Sequence, residues 1–235
     1  MRLRQIVLAA GDLCSTRTRI EDELGLPHVW ADPGVGHFGL RNALYAIGDS
    51  FLEVVSPTTD DAPARRFLDR SGGDAGYMAI VQTTGSLEDV RRRAADEGVR
   101  VVFTAEGEGV VGLHLHPSDT GGTLLSIDRC DAAASWPWAG PAWEAAPDRG
   151  ARGIAGATFA VTDPRAVAAR WGRLLDVPAQ ADRIELGATS LFFVSNADGR
   201  RGLCEVVLDG LPRPSTVIAG VRFSFTSREW GDRTD

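Results

Sequence analysis

The chain contains no lysine; all 25 of its basic residues are arginine. That excludes Schiff-base chemistry, lysine-held pyridoxal phosphate (PLP) and the lysine of a phosphate-binding P-loop. Cysteine is scarce too. Cys14, Cys130 and Cys204 are odd in number and far apart, with no C-x-x-C spacing, so neither a disulfide framework nor a structural zinc site is indicated. No apolar run reaches membrane-spanning length. The run that begins at Met1-Arg2-Leu3-Arg4 ends by Ala10, too short for a signal peptide. A basic stripe is also missing: net charge is −7 and the pI is near 5.2, against a nucleic-acid partner. These absences predict a cytoplasmic protein in a reducing compartment. The arginine bias, with abundant alanine and glycine, suggests a GC-rich bacterial source.

What is present is an ordinary globular balance over 235 residues, 43% apolar and 24% charged, enough for one large domain or two small ones. The chain also repeats itself. Gln5–Ala10 reads as a buried strand, Asp12 opens a helix to about Leu24, and Gly25 caps it. Extended segments follow near His28–Ala31 and Leu40–Ile47, then a turn at Gly48-Asp49 and the strand Phe51–Val55. The order β-α-β-β-β returns from Tyr77, through a helix from Ser86 to Gly98, to the strand Thr123–Ile127. It begins again at Ile154–Val161, with Asp163-Pro164 opening a third helix. A fourth copy is cut down, with Pro212 and Pro214 where a helix would stand. The predicted organisation is paired modules over 1–131, a Trp/Pro-rich linker over 132–150, two abbreviated modules over 151–227, and a tail over 228–235.

Three segments carry a family resemblance: Gln5-Ile6-Val7-Leu8-Ala9-Ala10-Gly11-Asp12-Leu13, Phe51-Leu52-Glu53-Val54-Val55, and His116-Pro117-Ser118-Asp119-Thr120-Gly121-Gly122-Thr123-Leu124-Leu125. They resemble the vicinal oxygen chelate superfamily of glyoxalases, bleomycin-resistance proteins and extradiol dioxygenases. The last segment is most similar to the methylmalonyl-CoA epimerase branch. The resemblance implies an α+β fold of tandem βαβββ modules in open, strongly curved sheets. It also implies four metal positions, on the first and last strands of each paired module. The separation of Gln5 from Glu53 is within one residue of that of Tyr77 from Ser126, so these four occupy the places. Gln5 and Glu53 agree with the family's ligands. Tyr77 and Ser126 depart from its His and Glu, so the cofactor expectation is a divalent metal on Gln5 and Glu53, or none.

The residues have their own logic. Glu53 lies in an apolar strand, and a buried carboxylate must be paired, ligate a metal or hold a raised pKa. The opposite orientation, with Leu52 and Val54 inward, would turn it to solvent. Gln5 poses the same choice on the first strand. Glu53 and Tyr77 are the catalytic candidates, as base or ligand and as proton donor. Gln5, Ser126, Trp30 and His114 are the substrate-binding candidates. His114 and His116, two apart on a strand, share a face; a solvent-facing pair near a turn is the plainer reading. His28 and His37 fall at loop or edge positions. Ser135-Trp136-Pro137-Trp138 and Trp143 either line a pocket or pack the linker down. Gly34–Gly39 and Gly107–Gly112 match G-x-G-x-x-G but lead into strands, so no NAD site is expected.

Three functions follow from the resemblance and these residues. The first is an isomerase, epimerase or lyase acting next to a carbonyl of an oxygenated metabolite, in a secondary-metabolite pathway. The second is a metal-free small-molecule binding or resistance protein. The third is an extradiol-type dioxygenase, which needs His114 or His116 to substitute for a missing ligand. All three imply a small-molecule partner, no membrane, and a monomer or homodimer.

Overall fold

The computed structural model describes residues 1–146, 151–197, 199 and 201–227. The first strand, β1 (Arg2–Ala9), feeds α1 (Leu13–Arg19), which runs on through one π turn at Ile20–Leu24. Asp12 caps α1 by accepting from the backbone N–H groups of Cys14 (2.9 Å) and Ser15 (3.2 Å). Gly25, at φ +68°, ends the helical run, as its sequence position suggested. Then come β2 (His28–Trp30), β3 (Leu40–Ile47) and β4 (Ser50–Pro57). An additional helix, α2 (Pro63–Ser71), sits between the first two modules and had no counterpart in the pattern. The second module is β5 (Ala75–Thr83), α3 (Leu87–Asp96), β6 (Val101–Gly107), β7 (Val110–Leu115) and β8 (Leu124–Cys130). Ser86 caps α3 just as Asp12 caps α1.

After two short 3-10 turns the order begins again: β9 (Ala151–Val161), α4 (Pro164–Leu175), β10 (Ala179–Gln180), β11 (Arg183–Leu186) and β12 (Thr189–Ser195), a complete module where the sequence predicts an abbreviated one, because the two-residue β10 is too short to leave a pattern. The last copy, β13 (Gly202–Gly210), β14 (Thr216–Ile218) and β15 (Val221–Thr226), has no helix between its first two strands. Among the described residues no helix is long and apolar enough to cross a membrane.

Two mixed sheets result. Their orders are β2-β3-β4-β1-β5-β8-β7-β6 and β10-β11-β12-β9-β13-β15-β14. In each, two parallel pairs (β1 with β4 and β5 with β8; β9 with β12 and β13 with β15) meet at a central antiparallel seam. Both seams carry a bulge on each strand: Arg4 and Tyr77 in the first sheet, Ala155 and Cys204 in the second, where β9 has a further irregularity at Arg152. Each bulge adds twist and bends its strand. The first sheet curls until its edges approach, with Phe38, in the connection from β2 to β3, against Phe103 of β6 at 5.4 Å.

Alternation gives the first sheet two different faces. Leu3, Ile6, Leu8, Leu52, Val54, Ala79 and Val81 join α1, α3 and the inner face of the second sheet in one common core. The halves meet closely: a Cβ on Gly48, at φ +60°, would lie 2.0 Å from the Arg152 carbonyl oxygen. The concave face (Val7, Phe51, Val55, Met78, Ile80) packs instead against Phe67 and Leu68 of α2 and against Trp136 and Ala139 of the linker.

Candidate active site

Glu53 projects from β4 onto the concave face, between Phe51 and Val55, and is 8% exposed. Of the two orientations the sequence allowed, the inward one holds. Both carboxylate oxygens receive a primary amide: Gln5 Nε2 donates to Oε2 at 2.7 Å and Asn42 Nδ2 to Oε1 at 2.7 Å. The carbonyl ends of the two amides are held in turn. Trp136 Nε1–H donates to Gln5 Oε1 at 2.7 Å, and the Asp32 backbone N–H to Asn42 Oδ1 at 2.9 Å. Burial pushes the Glu53 carboxyl up to about 7, against the two amide donors, which favour its ionised form.

Register places the remaining positions. β1 and β4 pair Val7 with Glu53; β5 and β8 pair Ile80 with Ser126. Arg4 and Tyr77 occupy matching bulges in β1 and β5, so the residue equivalent to Gln5 is Met78 and not Tyr77. Gln5 to Glu53 and Met78 to Ser126 then have the same spacing; the one-residue mismatch comes from counting from Tyr77, the counterpart of Arg4. Tyr77 still turns to the concave side, where its ring meets Phe67 at 4.9 Å. Burial raises its phenol further, Arg70 and Arg66 oppose that rise, and Glu53 adds to it. The phenol therefore stays protonated at neutral pH.

Ser126 is buried, and its hydroxyl donates to Asp128, two residues along β8 on the same face. The other oxygen of Asp128 accepts from Trp138 Nε1–H at 2.8 Å, and burial lifts this carboxyl to about 6. Asp128 was missed in the sequence, although an acid two residues beyond Ser126 in an apolar strand was the available signal. Asn42 was missed for the same reason.

His114 lies opposite Ser126 in the β7–β8 register, its ring 5.4 Å from Phe103; burial lowers it to about 4, so it is neutral at pH 7. His116 does not join it. β7 ends at Leu115, and His116 Nδ1 instead meets Ser118 N–H and Arg100 Nη2, each at 3.1 Å. The solvent-facing pair is thereby corrected: one ring is in the sheet and the other is in a turn. Trp30 packs over Gly140, whose absent Cβ would lie 2.4 Å from the indole. It grips the linker, and Trp136, Trp138, Ala139 and Trp143 fill the concave cleft of the sheet. Arg4, 0% exposed, anchors the linker: its guanidinium stands 5.4–5.5 Å from the rings of Phe51, Trp136 and Trp143 and donates to the Ala134 carbonyl at 2.9 Å.

These residues do not fit a chelated divalent cation. Gln5 Oε1, the atom that would ligate, is taken by an indole N–H. Both Glu53 oxygens face N–H donors, Met78 presents a soft thioether, and Ser126 is committed to Asp128. Among the described residues no three of His, Cys, Asp and Glu come together as a ligand set.

A family model described as a glyoxalase-like domain matches residues 6–175. The chain belongs to that family. Its fold is that of the vicinal oxygen chelate superfamily, as two solved structures show. A methylmalonyl-CoA epimerase in complex with methylmalonyl-CoA and ammonium is 25% identical, covering 57% of this chain and 98% of its own, with a TM-score of 0.50. A Streptomyces coelicolor methylmalonyl-CoA epimerase variant in complex with 2-nitronate-propionyl-CoA is 24% identical, covering 58% and 99%, with a TM-score of 0.51. No curated protein matches by sequence. This glyoxalase-like chain is thus similar over little more than half its length to complete epimerases.

Proposed function

We propose that the chain is an isomerase or epimerase that moves a proton on the carbon next to a carbonyl, with Glu53 as the base and no chelated cation. One observation carries the reading. Glu53 is a buried carboxylate held near pH 7 on the concave face, with N–H donors on both oxygens, so its surroundings match the ionised, proton-accepting form. The carboxylate takes the proton from carbon, the C–H electron pair moves into the carbonyl, and negative charge develops on the carbonyl oxygen. Tyr77, protonated and on the same side of the sheet, donates to that oxygen. Delivery of a proton to the opposite face of the same carbon completes an epimerisation; return of the proton to a neighbouring carbon completes an isomerisation. Since Glu53 is 8% exposed, substrate displaces part of the cover formed by α2 and the linker.

The test is uptake of solvent deuterium, followed by proton NMR. Methylmalonyl-CoA is the first probe, because the structural neighbours hold it or an analogue; other 2-substituted acyl thioesters and 3-oxo acids follow. The wild type exchanges at least one probe, and Glu53→Gln slows that exchange by about 100-fold or more. Exchange in Glu53→Gln at the wild-type rate, or none by the wild type across the series, would refute the mechanism. A second reading, sequestration of a flat compound without chemistry, is favoured by the two indoles already seated in the cleft, Trp136 and Trp138. It is supported if a bound compound is recovered unchanged.

A further inference from the structure

We propose that Trp136, in the linker between the two halves, is a positioning residue that orients the Gln5 amide toward Glu53, and so does with an N–H what a chelated cation would do for those two side chains. The inference deepens the reading of Glu53 as the base, and rests on it for its chemical meaning.

A primary amide can either donate to a carboxyl group or accept from it. It has one accepting end and one donating end, and the two are nearly the same size. Beside a carboxyl group, Gln5 can present either. With N–H outward it stabilises a carboxylate; with C=O outward it accepts from a protonated acid. Left to itself, the amide follows whichever form is present. Here it is not left to itself. Trp136 Nε1–H occupies Gln5 Oε1 at 2.7 Å, so only the NH2 end remains for Glu53. Asn42 is held the same way by the Asp32 backbone N–H. Both neighbours are thus locked as donors, and the carboxylate, the form a base needs, is the one that satisfies them.

Trp136 is itself over-determined. It is 1% exposed, stacks on Phe51 at 6.5 Å with a 12° interplanar angle, and lies under the Arg4 guanidinium at 5.5 Å. Arg4 and Arg2 hold the chain just before it by the carbonyls of Ala134 and Ala133, at 2.9 and 2.8 Å. Gln82 adds a bond to the Ala133 carbonyl at 3.1 Å. The indole therefore cannot follow a flip of the amide. Trp138 offers an internal control: its N–H reaches Asp128, on the other side of the cleft, and not Gln5.

The experiment reads the Gln5 side-chain amide directly, so it needs no substrate. Proton–nitrogen NMR spectra of the full chain are recorded, and the Gln5 NH2 pair is assigned by its loss in Gln5→Met. Trp136 is then replaced by 3-benzothienylalanine, which keeps the bicyclic shape but has sulfur in place of N–H; Trp136→Phe serves as a second variant. We expect Gln5 NH2 exchange with solvent to accelerate by about tenfold or more in both. The Asn42 pair stays slow, and Trp138→Phe leaves Gln5 unmoved. Unchanged Gln5 exchange in the benzothienyl protein would overturn the assignment. So would equal acceleration in Trp138→Phe, which would make the linker a mere cover. Failure of the proton-transfer reading would show as an absence of deuterium uptake while these amide signals behaved as expected. Failure of the present inference would show in the amide signals with deuterium uptake intact.

Discussion

Replacing Glu53 by glutamine removes one buried charge and should reveal its cost as a pH dependence. The folded protein holds the Glu53 carboxyl near 7, whereas the unfolded chain holds it near the ordinary 4.5. Between those values the native state keeps a proton that the unfolded state has released. Stability must therefore fall as pH rises through that window and level off above it. Each unit of displacement is worth about 1.4 kcal/mol, so the full loss is about 3 kcal/mol. Other groups titrate in the same range, Asp128 among them, so the useful quantity is the difference between wild type and Glu53→Gln. The variant also brings an amide up to two locked amides, which adds a penalty that does not vary with pH. Urea unfolding at half-unit steps from pH 4.5 to 8 gives both curves. The wild type should lose about 3 kcal/mol relative to the variant across this range. Parallel curves would refute the reasoning, because they would mean that the buried environment does not shift Glu53.

Two further outcomes follow from the packing. Gly48→Ala places a methyl 2.0 Å from the Arg152 carbonyl at φ +60°, where the halves meet, and should lower stability by roughly 2 kcal/mol or more, seen as a drop in the thermal midpoint. Arg4 Nη1 pairs with Asp49 at 3.1 Å; Arg4→Met keeps the apolar packing and removes a buried guanidinium whose Nε has no partner, so it should cost less than Asp49→Ala, which leaves that guanidinium buried without its carboxylate; urea midpoints at neutral pH compare them.

The repeat, the caps and the candidate carboxylate were legible in the chain because they are local. Asp12, Ser86 and Asp163 each cap a helix by reaching the next few residues, and period-two alternation marks a strand wherever it lies. Glu53 was visible as an acid in an apolar run. Its orientation was not, since either face of β4 could have turned inward until α2 and the linker covered one of them. Tyr77 shows the limit of counting. Spacing set it one residue from the position equivalent to Gln5, and the pairing of β1 with β5 shows why: Tyr77 is the bulge residue that matches Arg4, and Met78 is the residue that matches Gln5. His114 and His116 show it again, because where β7 ends decides whether two residues share a face.

The sequence by itself determined most of the strands and helices, their order and the acid that the fold had to bury or pair, all set by propensities and patterns acting over a few residues. Tertiary structure alone decided what surrounds that acid. Gln5, Asn42 and Trp136 come from three distant stretches of chain, and their hydrogen bonds exist only once two strands and a linker close over the same face. No local pattern encodes which end of an amide points at a carboxylate; that depends on a donor arriving from 131 residues away.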